Sequence, residues 1–309
     1  MSTTDVSYLV FGVVLLLAIG FDLGLLSRKG AAVTMRKALL QTIFWVALAF
    51  AFFGFIWIEK GHAIAIEYIS AYLMEWSLSI DNIFIFILIF TFFRVQKQHY
   101  ARVLLIGILL AVFFRIVFIT AGVALVARFE WILYVFGAIL VITGVKIFTV
   151  QANDEYDPGK NIVYRWMKRV LPLDVEDQSG KVMIRRDGRK FLTTAFVVIV
   201  MLATTDIAFA LDSIPAVFAI SQHRLVIYTS NIFAVLGLRS LFFLLQGAVS
   251  QFIYLQQGIA IVLIFIGLKM LAEIIPVHLP VWVSLVVIVG CIGGSILYSI
   301  RKLREKHDL

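Results

Sequence analysis

The chain has one cysteine, Cys291, in 309 residues, and it lies inside an apolar stretch. A disulfide framework and a thiolate metal cluster both need more than one, so both are excluded, and Cys291 reads as a small core residue. Charge is the second scarcity. Only 15% of residues are Asp, Glu, Lys or Arg, against 62% hydrophobic residues and a mean hydropathy of +1.00. A soluble domain of this size cannot hide that much apolar surface, which leaves a polytopic all-α membrane protein. The net charge of +8 does not indicate nucleic-acid binding, because the basic residues follow the membrane topology set out below. Met1 to Ser7 holds Asp5 and no Lys or Arg, which argues against a cleavable signal peptide.

What the chain does have is long apolar runs. They fall at about 6–26, 37–58, 67–93, 102–127, 130–150, 193–220, 226–250, 255–275 and 281–300, each long enough to cross ~30 Å of hydrocarbon as a helix. With the N-terminus outside and the C-terminus in the cytoplasm, twenty of the 27 Lys and Arg residues fall in inner loops or the inner tail. Outer loops then hold only Lys60, Arg128 and Arg224, the asymmetry that the positive-inside rule requires. The expected organisation has five parts. Residues 1–66 hold two helices, 67–150 a first repeat, 151–192 a basic cytoplasmic insert, 193–275 a second repeat, and 276–309 the last helix and a basic tail. Within the insert, Lys160 to Leu171 reads as a basic amphipathic helix on the inner leaflet, stopped by Pro172. Lys181 to Phe191 reads as a hairpin turning at Asp187-Gly188. Asp154, Glu155 and Asp157 read as a solvated loop.

Two of the apolar runs carry acids at the same spacing of six, Glu75 with Asp81 and Asp206 with Asp212. A small polar residue follows the second acid each time, Asn82 and Ser213. Carboxylates at membrane depth cost several kcal/mol and usually serve an ion path or pair with a buried cation. Arg115 and Arg239 hold matching places in spans four and seven, and Gly144-Val145-Lys146 matches Gly267-Leu268-Lys269 in spans five and eight. Spans three to five therefore look repeated in spans six to eight. Because three is odd, the second copy enters the membrane inverted, an architecture that places transporter sites near the midplane at the repeat interface. Asp22, near the inner end of span one, is a candidate for lining an inner vestibule, with an interfacial cap as the plainer reading.

Residues six apart on a regular helix are ~9 Å apart along the axis and about 120° apart in azimuth. Neither acid pair can chelate one ion from an intact helix, so a compact site must combine both acidic helices or unwind them locally. Glu75, Ser79 and Asn82 do share a stripe. Pro215 frees the Leu211 carbonyl and favours unwinding in the second copy. The resulting donor set is Asp81, Asn82, Asp212 and Ser213, with Glu75, Asp206 and the Leu211 carbonyl in reserve. Every donor is an oxygen or an amide and no His or Cys lies near, which suits Mn²⁺, Mg²⁺ or Ca²⁺ over Zn²⁺ or Cu⁺. The competing reading makes the four acids structural partners of Arg115, Arg239, Lys146 and Lys269. The two lysines also sit near enough to span ends to snorkel.

Glu75, Ser79-Ile80-Asp81-Asn82, Phe209-Ala210-Leu211-Asp212-Ser213-Ile214-Pro215-Ala216, Thr229-Ser230-Asn231 through Arg239, and Gly267-Leu268-Lys269-Met270 resemble the TerC/Alx family of bacterial inner-membrane proteins. The resemblance covers about 5–300. It implies membership of the lysine-exporter superfamily and links to manganese efflux, tellurite resistance and alkaline-pH response. It carries Glu75, Asp81, Asn82, Asp206, Asp212 and Ser213 over as an ion path. One position departs from the family pattern, since Ala203 stands where a glutamate is common three residues before Asp206.

The expected function is export of a divalent cation, Mn²⁺ foremost, by rocking of the two repeats, with proton coupling through the carboxylates. No prosthetic group and no nucleic acid enter this reading; the partners are the cation, the bilayer and any protein docked on the insert. A scaffold acting through 151–192 and a transporter of another ion linked to tellurite resistance are the alternatives. An intramembrane aspartyl protease, and with it enzymatic function, is set aside. Such proteases carry Gly-x-Gly-Asp, whereas Leu78-Ser79-Ile80 precedes Asp81 and Phe209-Ala210-Leu211 precedes Asp212.

Overall fold

The computed structural model describes residues 3–26, 33–129, 131–149, 158–174, 177, 179–186, 189–246, 254–272 and 281–307. Its long helices fall on the expected apolar runs. They are α1 (Thr3–Leu26), α2 (Met35–Lys60), α3 (His62–Phe92), α4 (Lys97–Arg128) and α5 (Ile132–Thr149), then α7 (Thr194–Ile220), α8 (Arg224–Leu245), α9 (Leu255–Ala272) and α10 (Val281–His307). The short helix α6 (Ile162–Val170) and strands β1 (Leu173–Asp174), β2 (Met183–Arg186) and β3 (Arg189–Thr193) make up the insert. Among the described residues four helical segments, 35–60, 97–128, 224–245 and 282–302, are long and apolar enough to cross a membrane. The two parts of α7, Thr194–Ala210 and Ser213–Ile220, make a fifth across a 40° bend. The protein is thus an all-α polytopic membrane protein.

Its outward surface agrees. Large apolar side chains face outward in number, among them Leu16, Ile58, Ile142 and Leu297, each at least 66% exposed. Such a coat is untenable in water and natural in lipid. Exposed Trp57, Trp131 and Trp282 stand at the helix ends away from the insert, where an amphipathic ring anchors a helix at the interface.

Local chemistry sets the breaks. Thr34 caps α2 by accepting from the Lys37 N–H at 3.4 Å. Gly61, at φ +87°, separates α2 from α3 in a conformation that a Cβ resists. Pro215 lies inside α7, where a missing N–H accounts for the bend, yet the backbone stays helical through it. The unwinding expected there is absent from the described backbone.

Helix α8 is the centre of the bundle, buried along nearly its whole length against α2, α3 and α4. Phe233 on α8 packs with Phe11 and Phe52 at ring separations of 5.4 Å. Helices α5 and α9 cross antiparallel and closely. A Cβ on Gly267 would lie 2.7 Å from the Gly137 carbonyl oxygen, and one on Gly144 would lie 2.8 Å from that of Ala260.

In the insert, β3 lies between its partners. β1 runs parallel to it (Leu173↔Leu192), and β2 antiparallel (Met183↔Leu192 to Arg186↔Arg189). The expected turn at Asp187-Gly188 and the acids Asp154, Glu155 and Asp157 lie outside the described residues. Gly180, at φ +70°, presses against the His99 ring and ties the insert to the start of α4. Helix α6 begins at Asn161, whose side chain accepts from Val163 N–H at 2.8 Å, and docks Tyr164 on Phe93.

Candidate functional site

Four helices meet at one guanidinium. Arg115, on α4, is 1% exposed. Its Nε and Nη2 donate to Asp206 Oδ2 and Oδ1, on α7, at 2.8 and 3.1 Å. Nη1 donates to Glu75 Oε2, on α3, at 2.7 Å and to Asn231 Oδ1, on α8, at 2.9 Å. The fork on Asp206 is the bidentate geometry that a planar guanidinium offers and an ammonium cannot. One arginine therefore joins the first acids of both motifs. Sequence reasoning treated Arg115 as one of four parallel partners, and it did not place Asn231 in the site.

Two acids share one guanidinium in this buried cluster. The cluster also leaves donors to spare. Among the described residues, Glu75 Oε1, Ser79 Oγ, Ser213 Oγ and Asn231 Nδ2 are buried without a hydrogen-bond partner. The Ser213 hydroxyl approaches Glu75 from α7 but falls short of hydrogen-bond geometry. Buried polar atoms are rarely left so. Three oxygens among these four atoms, two on one stripe of α3 and one across the helix pair, form part of the surroundings a cation needs.

Asn82 on α3 and Arg239 on α8 are buried. Asp81 and Asp212 stand on helical backbone, and their side chains, like that of Asp22, lie outside the described residues. Among the described residues, no three His, Cys, Asp or Glu side chains form a ready metal cluster. Lys146 is exposed, whereas Lys269 is buried and donates to Ser284 Oγ on α10 at 3.0 Å. Snorkelling thus fails for Lys269, because α10 covers it and supplies a hydroxyl for its head group.

Comparison with known proteins adds a family. The model described as "Integral membrane protein TerC family" matches residues 59–307. A Myxococcus xanthus relative, "Uncharacterized membrane protein STKORF319", is 44% identical over 93% of this chain and 89% of its own. "Putative membrane-bound redox modulator Alx" of Salmonella typhi is 37% identical over 94% and 92%. The protein of that name in Escherichia coli (strain K12) is 36% identical over 96% and 95%. No solved structure matches the chain.

Proposed function

We propose, from the premise that this chain belongs to the TerC family of integral membrane proteins, that it is a secondary transporter exporting a hard divalent cation, Mn²⁺, across the bacterial inner membrane. The observation that carries this reading is the Arg115 guanidinium, bound at once by Glu75 of one acidic helix and Asp206 of the other. It marks a place where a positive charge draws donors from both helices, and it is itself a resident cation that a metal ion can replace. On this reading Arg115 holds the carboxylates together while the site has no cargo. Mn²⁺ then takes Glu75 and Asp206, with Ser79, Asn82, Ser213, Asp81 and Asp212 completing an oxygen-rich shell, and Arg115 withdraws.

Alternation between the two sides rests on the inverted repeat. With Gly144 equivalent to Gly267 and Gly137 to Ala260, a two-fold operator turns the contact of Gly137 with Gly267 into that of Ala260 with Gly144. Both contacts occur, as the antiparallel crossing of α5 and α9 requires and an inverted repeat allows. The N-out orientation is supported by Lys97, Arg102, Lys302 and the basic insert gathering at one end. There Lys302 Nζ donates to the Tyr254 hydroxyl at 2.6 Å. The family relatives' printed name suggests redox work, but an internal dithiol needs two cysteines and this chain has one.

A scaffold reading has one observation in its favour. Ile162, Trp166 and Val170 form an exposed apolar stripe on α6, beside Arg165, Lys168 and Arg169. Purified protein in liposomes separates the two. Mn²⁺ flux driven by a pH gradient supports transport with proton coupling, and pH-independent flux removes the coupling. Absence of flux under any gradient removes the transporter.

A further inference from the structure

The α3–α7 seam repeats itself. The helices run antiparallel, with Ser213 approaching Glu75 at one level. Eight residues along each helix, ~12 Å nearer the end away from the insert, the same register sets Ser221 against Glu67. There the Ser221 hydroxyl donates to Glu67 Oε2 at 2.5 Å. The second level has an additional ligand type. Ser221 is the C-cap of α7 and His223 the N-cap of α8, and the His223 N–H donates back to Ser221 Oγ at 3.1 Å. That fold-back brings His223 Nε2 to 4.0 Å from Glu67 Oε2. Glu67 is the inner member, with its side chain 16% exposed, and the imidazole, 57% exposed, stands on the open side. Between the two levels Ala71, Tyr72, Ala216 and Val217 are all at most 2% exposed, a dry plug one helical turn thick.

We infer that Glu67, Ser221 and His223 form a second cation station, near the surface, where an ion leaving Glu75 and Asp206 is held before release. The inference rests on the transport reading. A separation of 4.0 Å is too long for a hydrogen bond between imidazole and carboxylate. One ion with bonds of ~2.1 Å spans donors from about 3 Å apart at right angles to about 4.2 Å opposed. The hydroxyl is already aimed at the same carboxylate oxygen. A carboxylate, a hydroxyl and an imidazole together select a first-row divalent transition ion over Ca²⁺ or Mg²⁺, which take oxygen donors. Among the described residues no imidazole lies at the inner level, so this station adds selectivity that the deep carboxylates lack. The plug makes the two stations alternate, because an ion passes from one to the other only when α3 and α7 part.

The test uses the full chain in lipid nanodiscs with its five histidines labelled at the imidazole nitrogens, titrated with Mn²⁺ and read by paramagnetic broadening. The expected result is broadening of His223 at lower Mn²⁺ than exposed His62, undiminished by a tenfold excess of Ca²⁺. Glu67→Gln raises the Mn²⁺ needed at His223 by about tenfold or more, while Glu67→Asp keeps the selectivity and so controls for folding. Broadening of His223 no earlier than His62, or insensitivity to Glu67→Gln, overturns the station and leaves Ser221 a plain helix cap. Flux measured on the same preparation keeps the two claims apart. Flux without selective broadening sinks this inference alone, and selective broadening without flux sinks the transporter.

Discussion

Replacing Arg115 with methionine removes four hydrogen bonds and the charge that two buried carboxylates share. At an effective dielectric near 20, each unit-charge pair at ~4 Å is worth about 4 kcal/mol, so two attractions of about 8 kcal/mol in sum are lost. The variant no longer bears the desolvation of a guanidinium, which offsets part of that loss, and broken buried pairs cost about 3–5 kcal/mol in practice. Arg115→Met should therefore lower stability by about that amount, read from tryptophan fluorescence of the protein in detergent during denaturation. Neutralising the acids as well, with Glu75→Gln and Asp206→Asn, should return most of it, because an uncharged cluster leaves no unpaired ion. A divalent ion replaces the missing charge, so millimolar Mn²⁺ should stabilise Arg115→Met more than the wild type. A cost below about 1 kcal/mol, additive behaviour of the triple variant, or equal Mn²⁺ effects on both proteins would refute the reasoning.

Other expectations follow from the helix contacts and the insert. Gly267→Ala puts a methyl 2.7 Å from the Gly137 carbonyl and 2.8 Å from Val141 Cγ2, so it should cost about 1–3 kcal/mol by overpacking. Gly54→Ala meets nothing within 4 Å inside α2 and should be neutral or stabilising by up to about 1 kcal/mol; thermal unfolding compares the two. Gly180→Ala collides with the His99 ring at a positive φ and should release the insert from α4, seen as faster proteolysis within 151–192 with the helices intact. The Ser179 hydroxyl holds the Asp177 carboxyl below the usual range. Its folded value is depressed, so the stabilisation is complete above the unfolded value near 4 and fades as pH falls through the folded one; hydrogen exchange at the Ser179 amide, taken relative to its intrinsic rate, checks the sign by keeping its protection above pH ~4 and losing it as pH falls further.

Much of the fold was legible because lipid simplifies the problem: a helix long enough to span, uncharged and flanked by basic residues, leaves few alternatives. Glu75 and Asp206 were legible for the same reason, as acids where none is cheap. What they bind was not. Spacing along a helix gives the direction of a side chain relative to its neighbours, whereas the partner depends on how α3, α4, α7 and α8 are rotated against one another. Two arginines in matching places invited one partner each, and the packing gives both first acids to Arg115. Lys269 was misread because the cover supplied by α10 comes from outside the repeat. Glu67, Ser221 and His223 went unnoticed as boundary residues. The signal was present, since Glu67 precedes Glu75 by the same eight positions by which Ser221 follows Ser213.

The most direct measurement is an anomalous-difference map from crystals grown with Mn²⁺. The account predicts a peak between α3 and α7, within ~2.5 Å of carboxylate oxygens from both helices, with the Arg115 guanidinium drawn off Glu75. A peak bound by one helix alone, or none while Arg115 keeps both acids, would contradict it.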